Sequence, residues 1–408
     1  MDTKGNHFKV CKNEFYSAII DEDLGRLTDL LKKYWSNFVS EIQGGPSGES
    51  PWKGVATLPL HLAVSYRRLK SVQSLLSAGM DTEMRDRFGQ TPLHLLISCW
   101  QSIPPSLADP QSKFHTVMIG MRRQAEACLR LLCEHGANVN AEQEGKSQQT
   151  PLHMSVRHNA LSAIQILSSY GANVNAVSCS GMTALHMAAG VLRKDIIVSL
   201  IRQGADVNMR SQQSGNTPLH LAVGAVAMKT TRILEDDISC ITELTERGAE
   251  PNIANAAGMT PLQEACSMGN AQLVDLLLRY GADINKLSHA GESCLFLFLN
   301  RRANLKNGSL LVKLLNLTSP LTIHNRSGHL PSTLTLPCFF KERDQLLKLT
   351  EQPKRLQDIC KSHIYLRHVE GKAGELREVL PTRLYDFVLN HWENIYNISF
   401  VTDGEESV

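Results

Sequence analysis

At 408 residues the chain is too long for one ordinary core, which usually stops growing near ~250–300 residues. With 42 Lys and Arg against 40 Asp and Glu it carries a formal charge of +2, without the basic excess of a nucleic-acid binder or of a protein that clings to acidic membranes. Hydrophobic residues at 42% and charged residues at 20% exclude disorder throughout. No run approaches the about 18 apolar residues of a membrane span, Leu295 to Leu299 being the densest short one. The amino end has no apolar stretch of the kind a signal peptide needs, so the expected location is cytoplasmic or nuclear. The 10 cysteines include no C-x-x-C pair, and the nearest two, Cys128 and Cys133, have no histidine at ligand spacing. They read as reduced and mostly buried, with no disulfide framework, metal or cofactor. The N-x-[ST] sequons at Asn307, Asn316, Asn325 and Asn397 read as chance.

In chain order, Phe15 to Trp35 has the pattern of two short amphipathic helices, and Ile42 to Gly54 is a link rich in Gly, Pro and Ser. A repeat then begins. L-P-L-H-L-A starts at Leu58, T-P-L-H-L-L at Thr91, T-P-L-H-M-S at Thr150, T-A-L-H-M-A at Thr183 and T-P-L-H-L-A at Thr217. Weaker copies start at Thr260 and Ser293, and the start-to-start spacings are 33, 59, 33, 34, 43 and 33. A second marker, a Gly-centred turn, recurs at Gly79, Gly136, Gly171, Gly204, Gly248 and Gly281, 21 residues after the first wherever nothing is inserted. Thr is expected to cap the first helix of each copy with Pro at its first position, where the missing N–H costs nothing. The His is expected to bond backbone or the Thr of a neighbouring copy. Glycines such as Gly171 suit the left-handed residue past the second helix. The excess spacing places an insert of 24 residues around Gln101 to Lys113 and one of 10 near Ala227 to Asp236. Their prolines and polar residues predict surface loops between the two helices of their copies.

These residues resemble the ankyrin repeat, a unit of 33 residues whose two helices cannot bury their apolar face without neighbours. The resemblance implies an all-α ankyrin-repeat solenoid. Residues 1–54 would be an amino-terminal capping unit and linker, and 55–318 an array of about seven copies with inserts near 100–124 and 225–236. A degenerate last copy or linker, opened by Ser327 to Pro331, would occupy 319–350.

His61, His94, His153, His186 and His220 belong to the repeat pattern, so their structural reading outweighs a catalytic one. No phosphate-binding, dinucleotide-binding, zinc-protease or nucleophile-elbow motif is present. The chain therefore reads as a protein-binding module and not an enzyme, with no catalytic residue. Candidate target contacts are the loop-tip residues Arg85, Arg87, Phe88, Arg210, Gln212 and Gln213. Tyr66, Arg67, Arg157 and His158, which follow the T-P-L-H helices, complete the set.

Past the repeats, Leu356, Cys360 and Ile364 stand at i, i+4 and i+8, on one helical stripe. Read alone, they and Ile359 are an apolar face capping the solenoid, which would leave a plain ankyrin scaffold. The pattern also resembles the first helix of the SOCS box, followed here by Val379 to Leu389 in place of L-P-x-P-x-x-L. That resemblance implies a box over 351–391, a tail over 392–408, and Elongin B/C and a cullin scaffold as partners of an otherwise monomeric chain. Leu356 would be the inserted anchor on Elongin C, Cys360 the small residue permitting close approach and Ile364 a flanking contact. Leu380, Pro381 and Leu384 would help select the cullin, while Val379 stands where the first Pro is usual. The implied function is a substrate-recognition adaptor of a cullin–RING ubiquitin ligase.

Overall fold

The computed structural model describes residues 14–33, 58–100, 113–145, 147–229, 235–351, 356–369 and 400. Among them the regular structure is helical, without a strand. The chain forms two compact units, one of residues 1–187 with 198–205, the other of 188–197 with 206–408.

In the first unit, α1 (14–20) and α2 (24–33) form a helix pair that lacks the T-P-L-H string. It buries Phe15, Ala18, Ile19 and Leu27. Three repeats follow as the pairs α3 (Pro59–Ser65) with α4 (Leu69–Ser77), α5 (Pro92–Ser98) with α6 (Lys113–Glu134) and α7 (Pro151–Arg157) with α8 (Leu161–Ser169). First helices stack on first helices, α3 on α5 and α5 on α7, and second on second, α4 on α6 and α6 on α8. Helices of seven and nine residues are too short to be stable alone, so the stacking carries them. The next pair is α9 (Ala184–Gly190) and α10 (Lys194–Arg202).

The second unit continues with α11 (Pro218–Ala227) and α12 (Glu235–Glu246), α13 (Pro261–Ser267) and α14 (Ala271–Arg279), and α15 (Cys294–Leu299) and α16 (Gly308–Leu317). Before each copy the chain makes a hairpin-like turn, and successive turns are joined through backbone. His289 N–H donates to Ala257 O at 3.1 Å and Arg326 N–H to Ala290 O at 2.7 Å. Gly258 shows what this approach demands: its φ is +77°, and a Cβ there would lie 2.4 Å from His289 N. The turn over Asn325–His329 is retained, but no T-P-L-H helix follows it. Two 3-10 turns, Ser332–Thr335 and Pro337–Phe339, stand there, then α17 (Phe340–Glu351) and α18 (Leu356–Val369).

Thr and His form a reciprocal cap. In α7 the Thr150 N–H donates to His153 Nδ1 at 3.3 Å, and Thr150 Oγ1 lies 2.8 Å from the same nitrogen. Because the backbone N–H must donate, Nδ1 is bare and the proton sits on Nε2, which donates to Met182 O at 3.0 Å in the turn of the next copy. Of the two partners expected from sequence, backbone or the Thr of a neighbouring copy, the backbone carbonyl of the next copy is the one found, and the Thr that the ring meets is its own copy's. His220 does the same with Thr217 and Met259 O, and His94 with Thr91 and Gln149 O. Gln263 reproduces the arrangement without a ring: Oε1 accepts from Thr260 N–H at 2.8 Å and Nε2 donates to Lys286 O and Glu292 O. In the first copy Leu58 replaces Thr, and His61 Nδ1 is buried without a partner among the described residues while Nε2 reaches Gln90 O at 2.9 Å.

The inserts differ from the predicted loops. α6 is 22 residues long against nine in α8, so about half of the longer insert extends a helix, and only 101–112 lie outside the described residues. The shorter insert lengthens both neighbours, α11 to 10 residues and α12 to 12. Helix extension lets inserted backbone satisfy its own N–H and C=O groups, which a loop would leave to water. Most of the described cysteines are buried or half-buried, as expected, Cys99 being half-buried. Cys128, Cys133, Cys240, Cys266 and Cys294 are buried, whereas Cys179, Cys338 and Cys360 are exposed. Burial pushes the Cys128 thiol up to about 12 and that of Cys133 to about 11, which keeps both protonated.

Candidate protein-interaction surfaces

The proposed target contacts separate into braces and free side chains. Arg67 is buried, at φ +57° in the tight turn between α3 and α4, and its guanidinium donates to Cys99 O at the end of α5. That corrects its assignment to the groove: a positive-φ turn points the side chain back into the stack. Arg85 is likewise a brace, donating through Nη1 to Gly89 O at 2.9 Å and Glu142 O at 2.7 Å, with Glu144 3.4 Å from Nε. Beside it, Arg87 lies over the Phe88 ring at 4.7 Å, and Phe88 is 61% exposed, an unusual degree for a phenylalanine at a loop tip. Tyr66 is exposed and meets Tyr16 edge to face at 6.1 Å. Arg157 is exposed and His158 half-buried, with burial first and the Arg157 charge second lowering the imidazole's affinity for a proton. Arg210, Gln212 and Gln213 are exposed, Arg210 Nε reaching Gly215 O at 3.4 Å.

Near the carboxyl end, α18 packs against α14 and α16. The side it turns to them carries Lys361 and Ser362, both buried, with Asp358 and Tyr365 half-buried. Residues two apart on a helix stand about 160° apart around it. Cys360, two before Ser362, is accordingly exposed, Ile359 is 38% exposed, and Ile364 is half-buried. Leu356 opens the helix one turn before Cys360. The expected apolar cap does not form through Ile359 and Cys360. Ser362 Oγ bonds its own helix, at Ile359 O, 2.9 Å away. Leu380, Pro381 and Leu384 lie outside the described residues. Phe400 stands edge to face with Phe339 at 5.4 Å and is buried.

One feature of the first helices has no counterpart in the sequence expectations. Glu264 follows Gln263 on α13, half-buried, where the other copies carry Leu or Met. Burial alone pushes its carboxyl up to about 7. The departure from the repeat pattern, E in T-P-L-Q-E-A, was the available signal.

The fold and these caps define a class, ankyrin repeats, and the comparisons agree. The family described as ankyrin repeats (3 copies) matches residues 105–178 and 171–236, and the single ankyrin repeat matches 257–289. Ankyrin repeat and SOCS box protein 16 of Mus musculus is 40% identical over 168 residues, covering 41% of this chain and 36% of that protein. The Homo sapiens protein of the same name is 29% identical over 361 residues, covering 81% of this chain and 66% of its own length. The chain therefore spans between about a third and two thirds of these relatives. Among solved structures, the ankyrin repeat domain of Bcl-3 is similar at a TM-score of 0.48 and 25% identity, over 59% of this chain and 93% of that one. The array is an ankyrin-repeat protein-interaction module. No described helix is long and apolar enough to cross a membrane.

Proposed function

We propose that the chain is a non-catalytic substrate receptor: the ankyrin array holds a protein target, and the segment from 351 recruits Elongin B/C and a cullin–RING ubiquitin ligase. The observation that carries this reading is the outward placement of Cys360 on α18, whose inner side is occupied by Lys361 and Ser362. A helix held to the last repeats through polar residues leaves Ile359 and Cys360 exposed for a partner. In this reading Leu356 is the anchor in a pocket of Elongin C, Cys360 permits close approach and Ile364 flanks it. Similarity to ankyrin repeat and SOCS box protein 16 over 81% of the chain supports the same assignment. The two inserts and the string Leu356 to Lys361 also resemble vertebrate ankyrin repeat domain-containing protein 61. Leu380, Pro381 and Leu384 would select the cullin, with Val379 weakening its capture. Ubiquitin transfer would fall to other subunits.

Co-expression with both elongins tests it. The wild-type chain is expected to co-purify with Elongin C, and Leu356→Ala with Cys360→Phe to abolish capture without lowering the melting temperature, because the bulkier ring overfills a close contact. Absence of Elongin from the wild-type preparation would leave the plain scaffold. A melting temperature lowered by several degrees in the double variant would return the stripe to the core.

A further inference from the structure

The residue one past the His, Gln or Phe of each first helix is Leu62, Leu95, Met154, Met187, Leu221, Glu264 or Leu297 in chain order; Leu62, Met154 and Leu297 are buried and the others, Glu264 among them, half-buried. Glu264 is the one charged side chain in that row. Within the second unit α13 packs between α11 and α15, and Glu264 rests against the bare backbone of Gly224 on α11. A Cβ on Gly224 would lie 2.9 Å from Glu264 Oε1, so this glycine makes the space that the carboxyl occupies. Glu264 makes no side-chain hydrogen bond or ion pair among the described residues, and burial is the sole influence on its protonation. Among the described residues Lys229 pairs with Asp237 at 2.6 Å and Lys313 with Asp275, while Arg301 Nη1 donates to the Met268 sulfur at 2.9 Å, one turn from Glu264, and makes no ion pair with its carboxyl. One turn beyond Gly224 stands Met228, 70% exposed, and one turn beyond Glu264 stands the half-buried Met268. Residues at i and i+4 share a helix face, so a carboxyl and two flexible thioethers border one patch.

We propose that this patch is a docking site for a peptide segment of a partner protein that places a Lys or Arg side chain on Glu264 and an apolar neighbour against Met228 and Met268. A carboxylate half withdrawn from water and unpaired is unfavourable in the free protein, and an incoming cation with its own hydrogen bonds relieves it. Leucine at the same place would suit the row and would not select a basic residue. The inference rests on the array being the target-binding part of the receptor and is independent of α18.

The test is an immobilised positional-scanning peptide library probed with the full chain. Wild type is expected to select Lys or Arg at one position beside an apolar residue. Glu264→Gln is expected to lose that selection and at least about tenfold in affinity for the best peptide, and Glu264→Lys to select Asp or Glu instead. Glu264→Leu should bind no basic peptide yet melt no lower than wild type. Basic selection unchanged in Glu264→Gln, or absent from wild type, would overturn the proposal. So would a Glu264→Leu variant that melts several degrees lower, because the carboxyl would then be structural. Elongin capture by the same variants should match wild type, which separates failure of this site from failure of the recruiting helix.

Discussion

Helices α14 and α18 lie against each other and use their apolar residues in opposite ways. α14 turns Leu273, Val274, Leu277 and Leu278 inward, each 1% exposed or less. α18 buries Lys361 and Ser362 and leaves Ile359 and Cys360 outside. Apolar side chains are therefore core throughout one helix and exposed at Ile359 and Cys360 in the other. What separates them among the described residues is the number of neighbours: α14 belongs to a repeat whose first helix, α13, is stacked on α11 and α15, whereas α18 packs against α14 and α16 alone.

The largest expected effect tests that contrast directly. Leu277→Ala should destabilise by ~2–5 kcal/mol, the cost of a cavity in a packed core, while Cys360→Ala should stay within about 0.5 kcal/mol. Urea denaturation of the two variants measures both, and equal losses would erase the distinction between the helices.

Acid should sharpen it, because the interior repeats depend on neutral histidines and α18 does not present the Thr–His cap. Burial lowers His94 from the usual value near 6.5 to about 4, against the bond from Nε2 to Gln149 O, which raises it, and burial likewise lowers His61 and His153. A depressed folded-state value means stability complete above about pH 6.5 and lost as pH falls toward 4, by about 3 kcal/mol for His94 on its own. Glu264 acts with the opposite sign: its raised value makes the fold less stable as pH rises from about 4.3 to 7. Melting temperatures between pH 7.5 and 4 should therefore fall in wild type and fall more steeply in Glu264→Gln. A flatter profile in that variant would contradict the burial of its carboxyl.

Smaller effects grade the caps. His153→Ala should cost ~1–2 kcal/mol by leaving Thr150 and Met182 O without their partner. His153→Gln should recover most of it, as Gln263 already fills the same role. Leu58→Thr should be ~0.5–1 kcal/mol more stable than the isosteric Leu58→Val, which loses the same buried leucine, 2% exposed, but supplies neither a helix cap nor the missing partner of His61 Nδ1. Chemical denaturation resolves each, and no gain from Leu58→Thr over Leu58→Val would mean that His61 finds its partner elsewhere.

Much of the array was legible because its signals are local. Thr before Pro, Gly past a second helix and a spacing of 33 each act within one copy, and their repetition makes the pattern secure. The histidines were assigned to structure and backbone was one of their two expected partners, but which of the two is met, and that the ring also caps its own copy's Thr, was not legible, since spacing says nothing about which way a ring turns. Arg67 and Arg85 looked like surface cations and are braces. A sequence shows that an arginine is on a turn, not which carbonyl lies within its reach.

The amino-acid sequence by itself determined the array of ankyrin repeats, where the first helices of its copies begin, and the i, i+4, i+8 spacing of Leu356, Cys360 and Ile364. These follow from helix periodicity and capping, which depend on residues within a turn or two. The tertiary structure alone decided that α18 faces the repeats with Lys361 and Ser362, that half of the long insert is helix, and that Glu264 sits unpaired over Gly224. Each depends on which atoms of distant copies come together, and burial and pairing are set by those neighbours.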